Sequence, residues 1–177
     1  DAIVYEEALD IGGSNPTLTT EIDTGSFTVK APEGLKALSI GGQAISIEGS
    51  TSTFVTSLGN TLAFSVIAPV TGDEYTVNYS YALIDDETHP LGSGDLVEQF
   101  KVTATDDLDQ VTSESVLGVN IVDDVPFIGV SSNVTITAQN TPQTGSLIID
   151  GGADDVAAVG VGDILTGTLP DGFDYTL

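Results

Sequence analysis

The chain has 177 residues, 27 of them Asp or Glu against three Lys and no Arg, for a formal net charge of −24, and it contains no Cys. So few cations argue against nucleic acid, whose phosphates are neutralised by Lys and Arg, and against an anionic membrane surface. The missing cysteines exclude disulfides and thiolate metal sites, and no run of about 20 apolar residues offers a membrane-spanning helix.

The opening Asp1-Ala2-Ile3-Val4-Tyr5-Glu6 lacks a basic stretch and a long apolar run, so it does not read as a secretory signal. Downstream, the strands declare themselves by period-two alternation. Tyr75, Val77, Tyr79, Tyr81 and Leu83 alternate with polar residues, and so do Phe100, Val102 and Ala104, then Leu117, Val119 and Ile121. Val134 with Ile136 and Leu147 with Ile149 continue the pattern. Gly, Pro, Asn and Asp punctuate these runs, and no segment carries a helical period. The expected fold is all-β, an antiparallel β-sandwich of immunoglobulin-like or cadherin-like type. The tyrosine face is expected to be a core face.

Three ordered blocks recur. Ser14-Asn15-Pro16-Thr17-Leu18-Thr19 matches Ser132-Asn133-Val134-Thr135-Ile136-Thr137, Thr24-Gly25-Ser26-Phe27-Thr28-Val29 matches Thr144-Gly145-Ser146-Leu147-Ile148-Ile149, and Leu35 to Gly41 matches Val156 to Gly162. The period is about 120 residues, a normal domain size. Residues 1–125 are therefore expected to form one complete sandwich, and residues 126–177 the first part of a second, incomplete unit. Such a part would be completed by the first unit, by another copy or by a further segment, because half a sandwich leaves strand edges and apolar faces bare.

Two acidic clusters flank the Leu117–Ile121 strand: Asp106, Asp107 and Asp109 before it, Asp123 and Asp124 after it. Two carboxylates about 4 Å apart repel by roughly 4 kcal/mol at an effective dielectric of 20, and the chain has almost no side chains to neutralise them. A hard divalent cation is the natural counterion, and calcium suits an all-oxygen ligand set. If the Leu117–Ile121 strand runs antiparallel to its predecessor, the two clusters lie at opposite ends of the sandwich and serve different ions. The competing reading makes these acids solvated turn residues or Asx-turn formers.

Tyr75 to Asp85, then Val102-Thr103-Ala104-Thr105-Asp106-Asp107, then Val119-Asn120-Ile121-Val122-Asp123-Asp124-Val125-Pro126 resemble, in order and spacing, the tandem repeats of giant bacterial RTX adhesins. Val4-Tyr5-Glu6-Glu7-Ala8-Leu9 resembles the acidic opening of such a repeat. The resemblance covers residues 1–126 well and 127–177 moderately. It implies type I secretion, an extracellular or cell-surface location, roles in biofilm or surface adhesion, and extender domains with calcium at their joints. It also implies partners: neighbouring adhesin domains, and a surface glycan or peptide gripped by adjacent modules. Asp106-Asp107-Leu108-Asp109-Gln110 departs from the family loop by lacking its glycine and one acid. The second unit, opening Val130-Ser131-Ser132-Asn133, has no counterpart of Glu6-Glu7.

The candidate metal ligands are thus Glu6, Glu7, Asp85, Asp106, Asp107, Asp109, Asp123 and Asp124. Glu6 and Glu7 are expected at the end that receives a preceding domain, together with the Asp106 loop; Asp123 and Asp124 are expected at the other. His89, the only histidine, sits before Pro90 in a polar loop and is expected to be solvated. No nucleophile elbow accompanies it, and paired carboxylates are so abundant that they signal no glycosidase without geometry. The expected role is that of a non-enzymatic, calcium-stabilised extender segment of an adhesin, with a glycan- or peptide-binding module second and a glycoside hydrolase a distant third.

Overall fold

Alternating apolar and polar residues build two stacked sheets from the strands β1 (Ala2–Tyr5), β2 (Ile22–Lys30), β3 (Leu35–Ile40), β4 (Gln43–Ile45), β5 (Ser52–Val55), β6 (Thr61–Ile67), β7 (Glu74–Ala82), β8 (Asp95–Asp106) and β9 (Ser115–Val122). The computed structural model describes residues 1–47, 49–90, 95–112, 114–130 and 147–153. One sheet has the order β1-β9-β8-β3-β4 and the other β2-β7-β6-β5. The chain crosses between them after β1, after β2, after β4 and after β7. The fold is the expected all-β sandwich. Among the described residues the one helical element is a single 3-10 turn, Glu6–Ala8.

The period-two series found in the sequence are the inward faces. Val77, Tyr79 and Tyr81 of β7 meet Phe100, Val102 and Ala104 of β8 and Leu117, Val119 and Ile121 of β9, and Leu62, Phe64 and Val66 of β6, a series not singled out from the sequence, join the same core. Phe54 of β5 stacks on Phe64 at 6.1 Å between ring centroids and meets Phe100 edge-on at 6.3 Å, tying the two sheets together. Tyr79 and Tyr81 are core residues, as their alternation required, and the Tyr75 hydroxyl accepts the Leu35 N–H.

Strand directions fix the ends. β8 and β9 are antiparallel, with Asp95 opposite Val122 and Val102 opposite Ser115. Asp106 therefore closes one end of the sandwich and Asp123 the other, as the sequence implied. One pair departs from the antiparallel pattern: β1 runs parallel to β9, Ala2 opposite Val119 through Tyr5 opposite Val122. Parallel neighbours cannot share a hairpin; here the rest of the sandwich is their connection.

Beyond Val125, β10 (Phe127–Val130) and β11 (Leu147–Asp150) pair antiparallel as a separate two-stranded sheet. Leu147 and Ile149 are thus in a strand, as expected, while Val134, Ile136 and the repeat counterparts from Val156 to Gly162 lie outside the described residues. After β11 the chain returns to the first sandwich. Gly152, at φ +68°, lies so close to the Asp124 carbonyl that a Cβ would collide with it, and Ala153 packs against the main core.

Candidate metal centre

The inward series of three strands do not stop being inward when they stop being apolar. In β1 the buried positions are Ala2 and Val4, and the next in phase is Glu6, whose side chain is 0% exposed. In β8 the buried series Ala104, Val102, Phe100 continues backwards to Glu98. In β9 the series Leu117, Val119, Ile121 is followed by half-buried Asp123 and buried Asp124. All three extensions fall at the same end of the sandwich, and the loop after β7 adds Glu87 and His89 there. Glu6, Glu87, Glu98 and Asp124 are all buried.

Each carboxylate is held by specific donors. Glu6 Oε1 accepts the Glu87 N–H at 2.8 Å and lies 3.1 Å from His89 Nε2; its Oε2 accepts the Asp124 N–H at 3.4 Å. Asp124 accepts two bonds from Ser14, one from N–H at 2.7 Å and one from Oγ at 2.8 Å. Glu87 takes the Asn60 amide at 2.6 Å, and Asn60 Oδ1 accepts the Ile84 N–H at 2.9 Å. Glu98 accepts the Tyr81 hydroxyl at 2.7 Å and the Ser57 hydroxyl at 3.3 Å.

Electrostatics at this end are unfavourable to charge. Burial pushes Glu6 above the usual glutamate value, and the bonds from the Glu87 N–H and from His89 offset it only in part. Burial also pushes Glu87 up; Asn60 opposes the shift, while the charges of Glu98, Glu6 and Asp86 add to it. Tyr81 is held well above the usual phenol range, first by burial and then by its bond to Glu98. A buried carboxylate is tolerated only when paired or hydrogen-bonded. Here the only basic side chain against this acid group, among the described residues, is His89.

One set of donors converges: a carboxylate oxygen of Glu6, one of Asp123 and a ring nitrogen of His89 lie within 4.8 Å of one another, the single such group among the described residues. Two expectations are corrected. Glu6 stands with Asp123 and Asp124, away from the Asp106 loop, because β1 is parallel to β9 and its C-terminal end is the β9 C-terminal end. His89 is not solvated: its side chain is 5% exposed and packed against Glu6.

The other candidates are dispersed. Glu7, half-buried in the 3-10 turn, uses its backbone carbonyl to accept the Asn15 N–H. Asp85 is exposed and accepts the Asp86 N–H at 3.1 Å. At the far end Asp106 Oδ1 accepts the N–H groups of Leu108 and Gln110 at 2.9 and 2.8 Å, closing a tight Asx-type loop. Asp107 is exposed beside Gly34 and gives its N–H to the Gly34 carbonyl, and Asp109, at φ +63°, pairs with Lys36.

The sequence pattern did not single out Glu98, Asn60 or Glu87. The signal for Glu6 and Glu98 was in the sequence: each sits at inward parity directly beyond a buried apolar series. No signal of that kind marks Glu87, His89 or Asn60, which are delivered by loops. No family model matches the chain, and neither a curated protein nor a solved structure does.

Proposed function

We propose that the chain is a structural segment, a divalent-cation-clamped β-sandwich that extends a secreted bacterial adhesin and holds its neighbouring modules at the cell surface. Its work is mechanical. A cation bound at the Glu6–Asp123 end joins the first strand, the last strand and the loop after β7, so the exit of the sandwich is fastened to its entry strand. Calcium is the ion first expected, from the acidic composition and the family resemblance. An extracellular location follows in the same reading, since a chain of net charge −24 that folds poorly without cations would fold on reaching calcium-rich surroundings.

The observation that carries the proposal is the burial of Glu6, Glu87, Glu98 and Asp124 at one end, with His89 as the only basic side chain against them among the described residues. The test is thermal unfolding with calcium and with a chelator. A ligand at 100 times its Kd stabilises by about 2.7 kcal/mol, which for a chain of this size raises Tm by about 5–10 °C. A Tm indifferent to chelation and to added divalent ions overturns the proposal.

A second reading, a glycan- or peptide-binding module, has one observation in its favour. A cavity of about 430 Å³ opens between β2 and the β8–β9 pair, lined by Phe27, Lys30, Tyr79 and Thr112 among others. An aromatic and several hydroxyl groups around one cation are a surface a polar ligand can use. Binding of a sugar or peptide in a screen, lost on substitution of Lys30, is the outcome that supports this reading.

A further inference from the structure

The Glu6–His89–Asp123 group differs chemically from the acidic loops, because one of its three donors is nitrogen. Calcium and magnesium take oxygen ligands. Imidazole beside carboxylates is a donor set for zinc and its first-row neighbours. We propose that Glu6, His89 and Asp123 form a site for a divalent transition ion, with zinc the expected occupant. The inference rests on the reading of this end as a cation clamp and changes which ion closes it.

Geometry supports it. Zinc holds its ligands at about 2.0–2.1 Å in a tetrahedron, which places them about 3.4 Å apart. The three donor atoms already lie within 4.8 Å of one another, so side-chain shifts of about an ångström bring them to that spacing. Glu6 is fixed by the Glu87 and Asp124 N–H groups, which orient the carboxylate without using every lone pair. Asp123 is half-buried, and three protein donors leave a fourth tetrahedral position for solvent.

The ring of His89 is an independent observation. It is 5% exposed, one nitrogen lies against Glu6, and Nδ1 is buried without a hydrogen-bond partner. A histidine placed only to bond Glu6 would leave that second nitrogen idle in a dry place, a cost of about 1–3 kcal/mol. No hydrogen bond at Nδ1 fixes the tautomer of the ring, so Nε2 is free to present its lone pair beside Glu6. Charge points the same way. An imidazolium brings one positive charge to Glu6 and Asp123, with Glu87 and Asp124 buried beside them; a divalent ion brings two.

The experiment titrates the metal-free protein with zinc alone, with calcium alone and with cobalt(II) as a spectroscopic probe, for the wild type, His89→Gln and Asp123→Asn. The expected result is one zinc per chain after dialysis, a visible d–d absorption from cobalt, and a zinc-induced rise in Tm. Each is lost or weakened at least about tenfold in both variants. Circular dichroism of the metal-free variants checks that they fold. Zinc affinity and cobalt absorption unchanged in His89→Gln overturn the proposal. If calcium raises Tm equally in wild type and His89→Gln while zinc has no effect, the clamp stands and the transition-metal assignment falls. If neither ion raises Tm, both fall.

Discussion

Asn60 joins two loops with one amide. It is 1% exposed, donates to Glu87 and accepts from the Ile84 N–H, so it both answers a buried carboxylate and fixes the start of the loop that carries His89. Asn60→Ala leaves the buried Glu87 acceptor and the part-buried Ile84 N–H without these partners, the first costing about 1–3 kcal/mol. The expected outcome is a lower midpoint in urea with an unchanged m-value, read by equilibrium unfolding. Asn60→Asp would put a further carboxylate against Glu87 and cost more. Glu6 and Asn60 mark the limit of what single residues disclose. Glu6 stands two positions after Val4, just past the end of β1 and in phase with its buried face, so parity alone announces a buried acid. Asn60 follows Gly59 and reads as an ordinary turn residue, since its two partners come from a loop more than 20 residues away.

At the scale of elements, the 3-10 turn Glu6–Ala8 and the segment after it shape the acid-lined end. Gly13 lies over this turn, and a Cβ there would fall 2.6 Å from the Glu7 and Leu9 carbonyl oxygens and 2.8 Å from that of Glu6. Those are backbone atoms, which do not swing aside as a side-chain tip does. The next residue, Ser14, gives both its N–H and its hydroxyl to Asp124. Gly13→Ala is therefore expected to displace Ser14 from Asp124, destabilise the fold by about 1–3 kcal/mol, and weaken divalent-ion stabilisation along with it. Thermal melts with and without added ion measure both effects. Strands β7, β8 and β9 were legible, because they keep strict alternation through their inward faces. The Asp106 loop was legible as a turn, and its Asx geometry is the solution that acidic turn residues adopt locally. The pairing of β1 was not legible. Four residues, Ala2 to Tyr5, fix neither partner nor direction, and the parallel match to β9 depends on a strand over 100 residues away.

At the scale of the whole molecule, charge sets the conditions of stability. A chain of net charge −24 repels itself when compact, and burial raises Glu6 and Glu87 above their ordinary value of 4.5. A group whose folded pKa is raised contributes stability that is fully present below the unfolded value and lost as pH rises through the folded value. The metal-free protein is therefore expected to gain Tm as pH falls from neutral toward the ordinary glutamate value of 4.5, opposite to a protein held by ionised salt bridges. A bound divalent ion does by charge what the proton does by titration, so the gain should shrink in its presence. Melts across that pH window, with and without ion, decide the matter; a metal-free Tm that falls on acidification contradicts it.

The parallel pairing of β1 with β9 also determines how the sandwich meets a pull. Its entering strand begins at one end, beside Gly118, whose N–H is held by the Asp1 carboxylate, and its leaving strand ends at the other, where Glu6 takes the Asp124 N–H. Tension drawn between Ala2 and Val122 runs along both strands at once and loads all four register pairs from Ala2–Val119 to Tyr5–Val122 together. Nothing peels: the two strands must slide past one another, with the Glu6–Asp124 contact as the stop at the end of the track.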